Sequence, residues 1–149
     1  MKIAVLSDTH NLLRPEVIEI IKSSNAVIHG GDINSHEIKY VMKPNAQLFV
    51  VRGNNDKELA ANLPVSLDFE LGGLKFFLTH NRKDIPQDIK ADIIIFGHSH
   101  KYHEENISGQ VWLNPGSCGR KRFNLPITMA VMNVNDNEYS IEKIELEGE

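Results

Sequence analysis

The chain contains a single cysteine, Cys118, among its 149 residues. One cysteine cannot close an intramolecular disulfide, and nothing in the sequence resembles a thiolate metal site, which needs several cysteines. A disulfide-stabilised extracellular scaffold is therefore excluded. The composition fits a reducing compartment, and we expect the protein to be cytoplasmic.

Long hydrophobic runs and an excess of basic residues are also missing. No run of about 18 apolar residues occurs, and the apolar run at residues 3–6 is too short for a signal peptide. We therefore expect a soluble protein without a membrane partner. The 16 basic and 20 acidic residues give a net charge of -4, whereas a general nucleic-acid-binding surface is normally basic. A small soluble substrate is expected instead.

Short apolar runs predict a strand-rich fold. The length and a 41% hydrophobic content are those of one ordinary domain, and we predict a single domain over residues 1–149. Strands are predicted at residues 2–7, 26–29, 47–51, 67–71, 74–79, 92–96, 110–113, 128–134 and 139–145. Helical spacing between the first three runs predicts βαβ units, and the second half is predicted to be mainly β. Two packed sheets with helices outside would bury all these strands.

Three helices are predicted in the first half of the chain. The first has Pro15 in its first turn and presents Val17, Ile20 and Ile21 on one face. The second runs over residues 35–42, before a proline. The third is short and is capped by Asp56.

Metal-ligand side chains follow five of the apolar runs. The clusters are Asp8-x-His10, Gly31-Asp32, Gly53-Asn54-Asn55-Asp56, His80 and Gly97-His98-Ser99-His100. Carboxylates and imidazoles suit borderline divalent metals such as manganese, iron, zinc or nickel. Because α/β sheets carry ligands beyond the carboxyl ends of their strands, the clusters are placed where ligands bind.

Two of the clusters, taken alone, also have a structural explanation. Asp8 could cap a turn beside a surface histidine, and Asp32 could be an ordinary turn residue. The pair His98 and His100 is more specific, because two histidines at this spacing after an apolar run rarely have a structural reason to coexist. The coincidence of all the clusters at successive strand ends favours a two-metal hydrolytic site.

In this order the clusters resemble those of the calcineurin-like metallophosphoesterases, specifically the small YfcE-like bacterial and archaeal branch. Residues 114–117, Asn-Pro-Gly-Ser, resemble a late loop of that branch. The resemblance implies an α/β fold, a four-layer αββα sandwich of two mixed β-sheets flanked by helices. It also implies a phosphoesterase, foremost a phosphodiesterase, in which a hydroxide bridging two divalent metals attacks a small phosphate ester in line. Manganese is the metal expected first, and homo-oligomerisation stays open.

The resemblance also implies which residues bind the metals. The first metal would be held by Asp8, His10, Asp32 and His100, and the second by Asp32, Asn54, His80 and His98. Asp32 would bridge the two cations, which repel each other and need negative charge between them. The residues expected to be catalytic are Asp32, Asn54, His80 and His98.

Two positions depart from the family pattern. Asn55 stands where larger relatives usually carry histidine and YfcE-like members cysteine, which leaves the proton donor for the leaving group open. Asn81 and Arg82 follow His80, where the branch often has glycine and then another histidine. Asparagine tolerates a left-handed backbone, so Asn81 need not disturb His80. Arg82 could reshape phosphate binding.

The remaining reactive side chains are predicted to have other roles. We expect His29 to support the ligands or the core. We expect His36 to lie on a helix surface and His103 to lie in the loop after His100. The basic run at 120–122 is expected to be solvated, with contact to a substrate phosphate as the alternative. A structural role is expected for Ser7, Ser99, Ser117 and Cys118, because two metals need no side-chain nucleophile.

Two other functional classes remain to be compared with the enzyme. The resembled family also contains a retromer subunit that uses this fold mainly as a protein-binding scaffold. The intact ligand set favours the enzyme over the scaffold. A doubly wound nucleotide-binding domain would need a glycine-rich loop after the first strand, where this chain has Ser7-Asp8-Thr9-His10.

Overall fold

The computed structural model describes residues 1–34, 37–56, 62–122 and 124–147. Within these ranges the strands are β1 (Lys2–Leu6), β2 (Ala26–His29), β3 (Gln47–Val50), β4 (Ser66–Leu71), β5 (Leu74–Thr79), β6 (Ile93–Ile95), β7 (His103–Ile107), β8 (Gln110–Asn114), β9 (Ile127–Asn135) and β10 (Glu138–Leu146). The helices are α1 (Pro15–Lys22), α2 (Ile38–Val41) and a 3-10 turn (Arg82–Asp84). In the described part of the chain, no helix is both long enough and apolar enough to cross a membrane.

The strands form two mixed five-stranded sheets, as predicted. The first sheet has the order β10-β9-β1-β2-β3, with parallel pairing from β1 to β3 and antiparallel pairing of β9 with both β1 and β10. The second has the order β4-β5-β6-β8-β7, in which β5, β6 and β8 are parallel. Each of the nine predicted strands is present, with bounds that differ by at most one residue. The single-domain prediction itself stays a prediction.

The main core lies between the two sheets. Phe76 and Leu78 of the second sheet and Ile3 and Ile28 of the first belong to one buried cluster, and each is at most 1% exposed. Along a strand, successive side chains point to opposite faces of the sheet. Each sheet therefore has an outer face besides the one in the core, and the apolar residues on that outer face need a cover. The packing fixes the sheets against each other and sets where the strand ends meet.

The outer faces are covered differently. On the first sheet, Val17 and Ile21 of α1 and Ile38 of α2 pack with buried residues of β1 and β2. On the second sheet, the outer face is covered by Ile85 and Ala91, which belong to a loop that follows the 3-10 turn. The predicted helical layer on this second side therefore has no counterpart among the described residues.

Three sequence expectations differ from the structure or lie outside it. The helix predicted at 35–42 is described only as Ile38–Val41, and residues 35–36, which include His36, lie outside the described residues. The third predicted helix falls on residues 57–61, which also lie outside them. The prediction that His103 lies in a loop is wrong, because it begins β7, a polar edge strand that no apolar alternation signals.

Candidate metal centre

The predicted ligand residues lie in loops that leave the carboxyl ends of five strands. Asp8 follows β1, Asp32 follows β2, Asn54 follows β3, His80 follows β5 and His98 follows β6. Since β1, β2 and β3 are parallel, as are β5 and β6, the first sheet contributes three adjacent loops to the site and the second contributes two. Two groups of side chains converge here with ligand atoms within 4.8 Å of one another: Asp8 with His10 and His100, and Asp8 with Asp32 and His80.

Asp8 presents one free oxygen to the first group. Its Oδ2 accepts hydrogen bonds from Ser7 Oγ at 2.7 Å and from the backbone N–H of His98 at 3.1 Å. Its Oδ1 is buried, has no hydrogen-bond partner among the described residues, and lies 3.5 Å from His100 Nε2 and 3.9 Å from His10 Nε2. His10 Nε2 is buried and unpartnered in the same way. An orphaned carboxylate oxygen facing an orphaned imidazole nitrogen fits a bound cation.

Asp32 connects the two groups through a single oxygen. Its Oδ1 accepts a hydrogen bond of 2.8 Å from the backbone N–H of Asn55. Its Oδ2 lies 3.7 Å from His10 Nε2 and 3.5 Å from His80 Nε2. The imidazoles of both groups therefore face the same oxygen of Asp32, and they face Oδ1 of Asp8 as well, so either carboxylate could be shared by two cations.

The two carboxylates differ in their preference for the charged form. Burial alone would raise the pKa of Asp8, but the nearby His100 imidazole, the hydrogen bond from Ser7 and the charge of His80 lower it to about 2. Burial raises the pKa of Asp32, and the nearby charge of Asp8 raises it further. Two negative charges this close repel each other, so a cation between them would be strongly favoured.

The position of the proton on His80 is fixed by the backbone. His80 Nδ1 lies 2.6 Å from the carbonyl oxygen of Gly30, which can only accept, so Nδ1 donates and Nε2 is the ring nitrogen that faces the other ligand residues. That Nε2 is 3.1 Å from Asn54 Oδ1 and 3.3 Å from His98 Nδ1. The structure thus places Asn54 and His98 beside His80, on the exposed side of the site. Their assignment as ligands stays a prediction.

The site loops contain an unusual concentration of left-handed backbone. Positive φ angles between 48° and 74° occur at Asp8, His10, Asp32, His98 and His100. Non-glycine residues adopt this conformation at a cost of about 1 kcal/mol or more, and it persists only where the surroundings enforce it. Five of the seven predicted ligands are therefore held in strained turns that bring closely spaced polar side chains to one place.

Two glycines allow the loops to approach this closely. A Cβ atom at Gly53 would overlap the carboxylate and backbone nitrogen of Asp32. At Gly97 a Cβ would overlap Ser7 Oγ and lie 2.9 Å from Asp8 Oδ2. Both positions need glycine because a ligand carboxylate, or the hydroxyl that orients it, takes the space of a side chain.

Asp56 supports the site in a way that was not expected from sequence. Its Oδ2 accepts hydrogen bonds of 2.8 Å from the backbone N–H groups of both Asp32 and Gly53, and its Oδ1 accepts one from Asn34. The carboxylate is buried and ties the second ligand loop to the third. The helix that Asp56 was predicted to cap lies outside the described residues. The sequence signal for the observed role is its place in the Gly-Asn-x-Asp cluster.

His29 supports the first two loops, in agreement with its predicted role. The backbone N–H of Gly31 donates to His29 Nδ1 at 3.0 Å, so the ring carries its proton on Nε2 and donates to Thr9 Oγ1 at 2.9 Å. Both ring nitrogens are thereby used within the protein. Burial lowers the pKa of His29 to about 4, so the ring is neutral at pH 7.

The other reactive side chains have structural contacts. Ser117 Oγ donates to the backbone carbonyl of Asp8, and Asn114 Nδ2 donates to the carbonyl of Gly97 at 3.1 Å. Cys118 is fully buried, and burial raises its pKa to about 12, so it is not a thiolate at neutral pH. Residues 120–122 are exposed, as expected for a solvated basic run.

Comparison with known proteins identifies relatives of this site and fold. Residues 1–137 match the model of the calcineurin-like phosphoesterase superfamily domain. The chain is 32% identical over 162 residues to phosphodiesterase MJ0936 of Methanocaldococcus jannaschii, in an alignment that covers 93% of this chain and 96% of that protein.

Solved structures show the same fold. An archaeal phosphodiesterase superposes with a TM-score of 0.74 at 27% identity, covering 98% of this chain and 100% of the other. Vps29 of Entamoeba histolytica, solved in complex with zinc, superposes with a TM-score of 0.73 over 97% of this chain and 99% of the other. Its 22% identity makes that likeness one of fold alone.

The buried imidazole of His29 predicts a pH dependence of stability. The ring has a pKa of about 4 in the fold, against 6.5 as the ordinary value, so the unfolded chain binds more protons between these pH values. The contribution of the neutral ring to the free energy of unfolding is complete above pH 6.5. It decreases by about 3 kcal/mol as the pH falls towards 4. Urea unfolding of chelated protein should show a flatter pH profile over this window for His29→Asn than for the wild type.

Asn133→Ala is the control, because Asn133 is exposed on β9 and does not titrate, so this change should leave the profile unchanged. Equal slopes for His29→Asn and the wild type would contradict the buried, neutral state of His29.

Proposed function

Because the chain belongs to the calcineurin-like phosphoesterase superfamily, we propose that it is a metal-dependent phosphoesterase that hydrolyses phosphodiesters. The observation that carries the proposal is Asp32 Oδ2, one oxygen that faces the imidazoles of both ligand groups. Two bound cations would supply an activated water as the nucleophile and would stabilise the negative charge of the transition state.

The residues present fit two such cations. We propose that Asp8, His10, Asp32 and His100 hold one and that Asp32, Asn54, His80 and His98 hold the other. Manganese is the metal proposed first, with iron, zinc and nickel as alternatives that the same donors accept. The zinc in the Vps29 complex supports a divalent cation in this fold without deciding the metal of this chain.

The chain's own groups prepare the site before a substrate arrives. Gly30 holds the His80 ring so that its Nε2 points inward. Ser7 and the His98 backbone orient Asp8 through one oxygen and leave the other for a cation. The exposed side chains of Asn54 and His98 mark the open side, where a phosphate can approach. Such preorganisation reduces the rearrangement that binding and catalysis require.

A protein-binding scaffold of the same fold is the second candidate, and the likeness to Vps29 is what favours it. A scaffold needs an exposed apolar patch. Among the described residues, the exposed large hydrophobic side chains are Met1, Tyr40, Val65, Ile107 and Tyr139. Met1 and Tyr139 line one pocket, and the other three lie in separate segments of the chain. We therefore place the enzyme first and expect no tightly bound heterologous partner. A stoichiometric complex from native extract, together with absent catalysis under every metal tried, would reverse this order.

Metal removal and loss of Asp32 test the proposal. Chelation should abolish hydrolysis of bis(p-nitrophenyl) phosphate, and manganese should restore it. Asp32→Ala should lower kcat/KM by more than about 100-fold, the upper end for residues that merely support a ligand. Asp68→Ala, which removes an exposed carboxylate on β4, is the matched control. Metal content is measured by mass spectrometry alongside activity. Undiminished turnover in metal-free protein, or two metals per chain in Asp32→Ala, would refute the proposal.

Asn55 predicts a strong dependence on the leaving group. An amide cannot act as a general acid near neutral pH, and such catalysis typically contributes about 10²–10⁴-fold. We expect aryl diesters with acidic phenols to be hydrolysed far faster than alkyl diesters. Asn55→His should selectively raise activity on poor leaving groups, and the backbone N–H that binds Asp32 is retained. The measurement is kcat/KM across a series of leaving groups for both forms.

Asn133→His, an exposed change on β9, is the control and should leave this dependence unchanged. A shallow dependence in the wild type would show that another group already donates the proton.

A further inference from the structure

A pocket of about 290 Å³ opens beside the metal centre. Its lining includes Arg82, Phe96, His98, Lys101, His103 and Asn114. These residues come from the loops after β5 and β6, the approach to and start of β7, and the end of β8. His98 is the one residue that the pocket shares with the predicted ligand set. The pocket therefore extends from the open side of the centre across the second sheet.

The charge of this pocket is opposite to that of the whole chain. Its described lining contains Arg82 and Lys101 and no carboxylate, although the chain carries a net charge of -4. Within the described ranges, Lys101 has no ion pair, and Arg82 has one, to Glu105 at 3.9 Å. Both partners of that pair are about half exposed, so the pair contributes little and leaves Arg82 available to a ligand.

The guanidinium of Arg82 is held in place by two aromatic rings. Its Cζ lies 5.4 Å from the centroid of Phe96 and 5.1 Å from that of Trp112. These contacts orient the group before a ligand binds, which lowers the entropy cost of binding. Glu105 has a closer partner in His103, at 3.0 Å. The N–H groups of Arg82 that do not face Glu105 can therefore donate to an anion.

The same contacts argue against stacking of an aromatic ligand on Phe96 or Trp112. Phe96 is only 4% exposed, and the Arg82 guanidinium lies near the rings of both Phe96 and Trp112. A planar base would find neither of these two rings open. The polar groups of the lining are two cations and hydrogen-bonding side chains, which suit anionic oxygen.

We infer that this pocket receives a second anionic group, a phosphate or carboxylate, which the substrate carries beyond the scissile phosphate. The preferred substrates are then phosphodiesters with an additional anion on the side of His98. This inference rests on the proposed function, which supplies the reaction. The preference for a second anion rests on Arg82 and Lys101.

A pair of substrates tests the inference with the manganese-loaded protein. Thymidine 5′-(p-nitrophenyl phosphate) and its 3′-phosphorylated form have the same scissile bond and leaving group and differ by one phosphate. We expect kcat/KM to be about 10-fold or more higher for the phosphorylated form, as for a charge-assisted hydrogen bond, and the ratio to fall with added salt. No preference, or a preference for the unphosphorylated form, would overturn the inference.

Charge-neutralising variants locate the effect. Arg82→Gln and Lys101→Gln should each lower the ratio of the two kcat/KM values by at least about fivefold. Lys83→Gln is the matched control, because it removes the same charge from the next residue, which is exposed and does not line the pocket. The control should keep the wild-type ratio. An equal loss in all three variants would show a general field of positive charge and overturn the pocket assignment.

Failure of the pocket and failure of the proposed function give different results. If neither diester is hydrolysed with any metal, the proposed function fails, and the pocket is tested by binding alone. Calorimetric titration should then show tighter binding of thymidine 3′,5′-bisphosphate than of thymidine 5′-phosphate, with the difference reduced in Arg82→Gln. Equal affinities of the two nucleotides would overturn the pocket assignment independently of catalysis.

Discussion

The structure of the site depends on two buried carboxylates, Asp8 and Asp32, held within 4.0 Å of the same nitrogen, Nε2 of His80. Their ligand oxygens lie within 4.8 Å of each other, and like charges this close are unfavourable without a cation, so the fold must hold them by other means. Ser7 and the backbone N–H of His98 donate to one oxygen of Asp8, and the backbone N–H of Asn55 donates to one oxygen of Asp32. The remaining oxygens are left facing the imidazoles. The strained backbone at the ligands is supported by the two sheets, whose packing fixes the ends from which the loops leave.

Most of the fold could be predicted because most strands are buried and therefore apolar. Most of the nine predicted strands, including the three-residue β6, follow such runs, whereas β10 is mostly exposed and polar. The strand β7 was missed because its sequence, His-Glu-Glu-Asn-Ile, is polar and lies at a sheet edge, where pairing with β8 alone creates the strand. The segment that covers the outer face of the second sheet was also not predicted, because Ile85 and Ala91 reach that face from a loop without helical periodicity. Periodicity reports burial within an element and not contacts between distant segments.

The ligand side chains could be predicted by type and order, whereas the contacts that orient them could not. The carbonyl that fixes His80 lies 50 residues away at Gly30, and the carboxylate that ties Asp32 belongs to Asp56, 24 residues away. A sequence shows that such residues are available but not which partner each one meets. The cationic pocket was foreseen only through Arg82, because it combines that residue with Lys101 and with two rings separated along the chain. Specificity determinants of this kind depend on tertiary contacts.

The central claim is that Asp32 joins the two ligand groups into one dinuclear centre. Anomalous diffraction from crystals of manganese-loaded protein, recorded on both sides of the manganese absorption edge, tests it most directly. The account predicts two anomalous peaks about 3.5–4 Å apart, one on each side of the Asp32 carboxylate. One peak next to Asp8, His10 and His100, with no second peak beside His80 at saturating manganese, would contradict it.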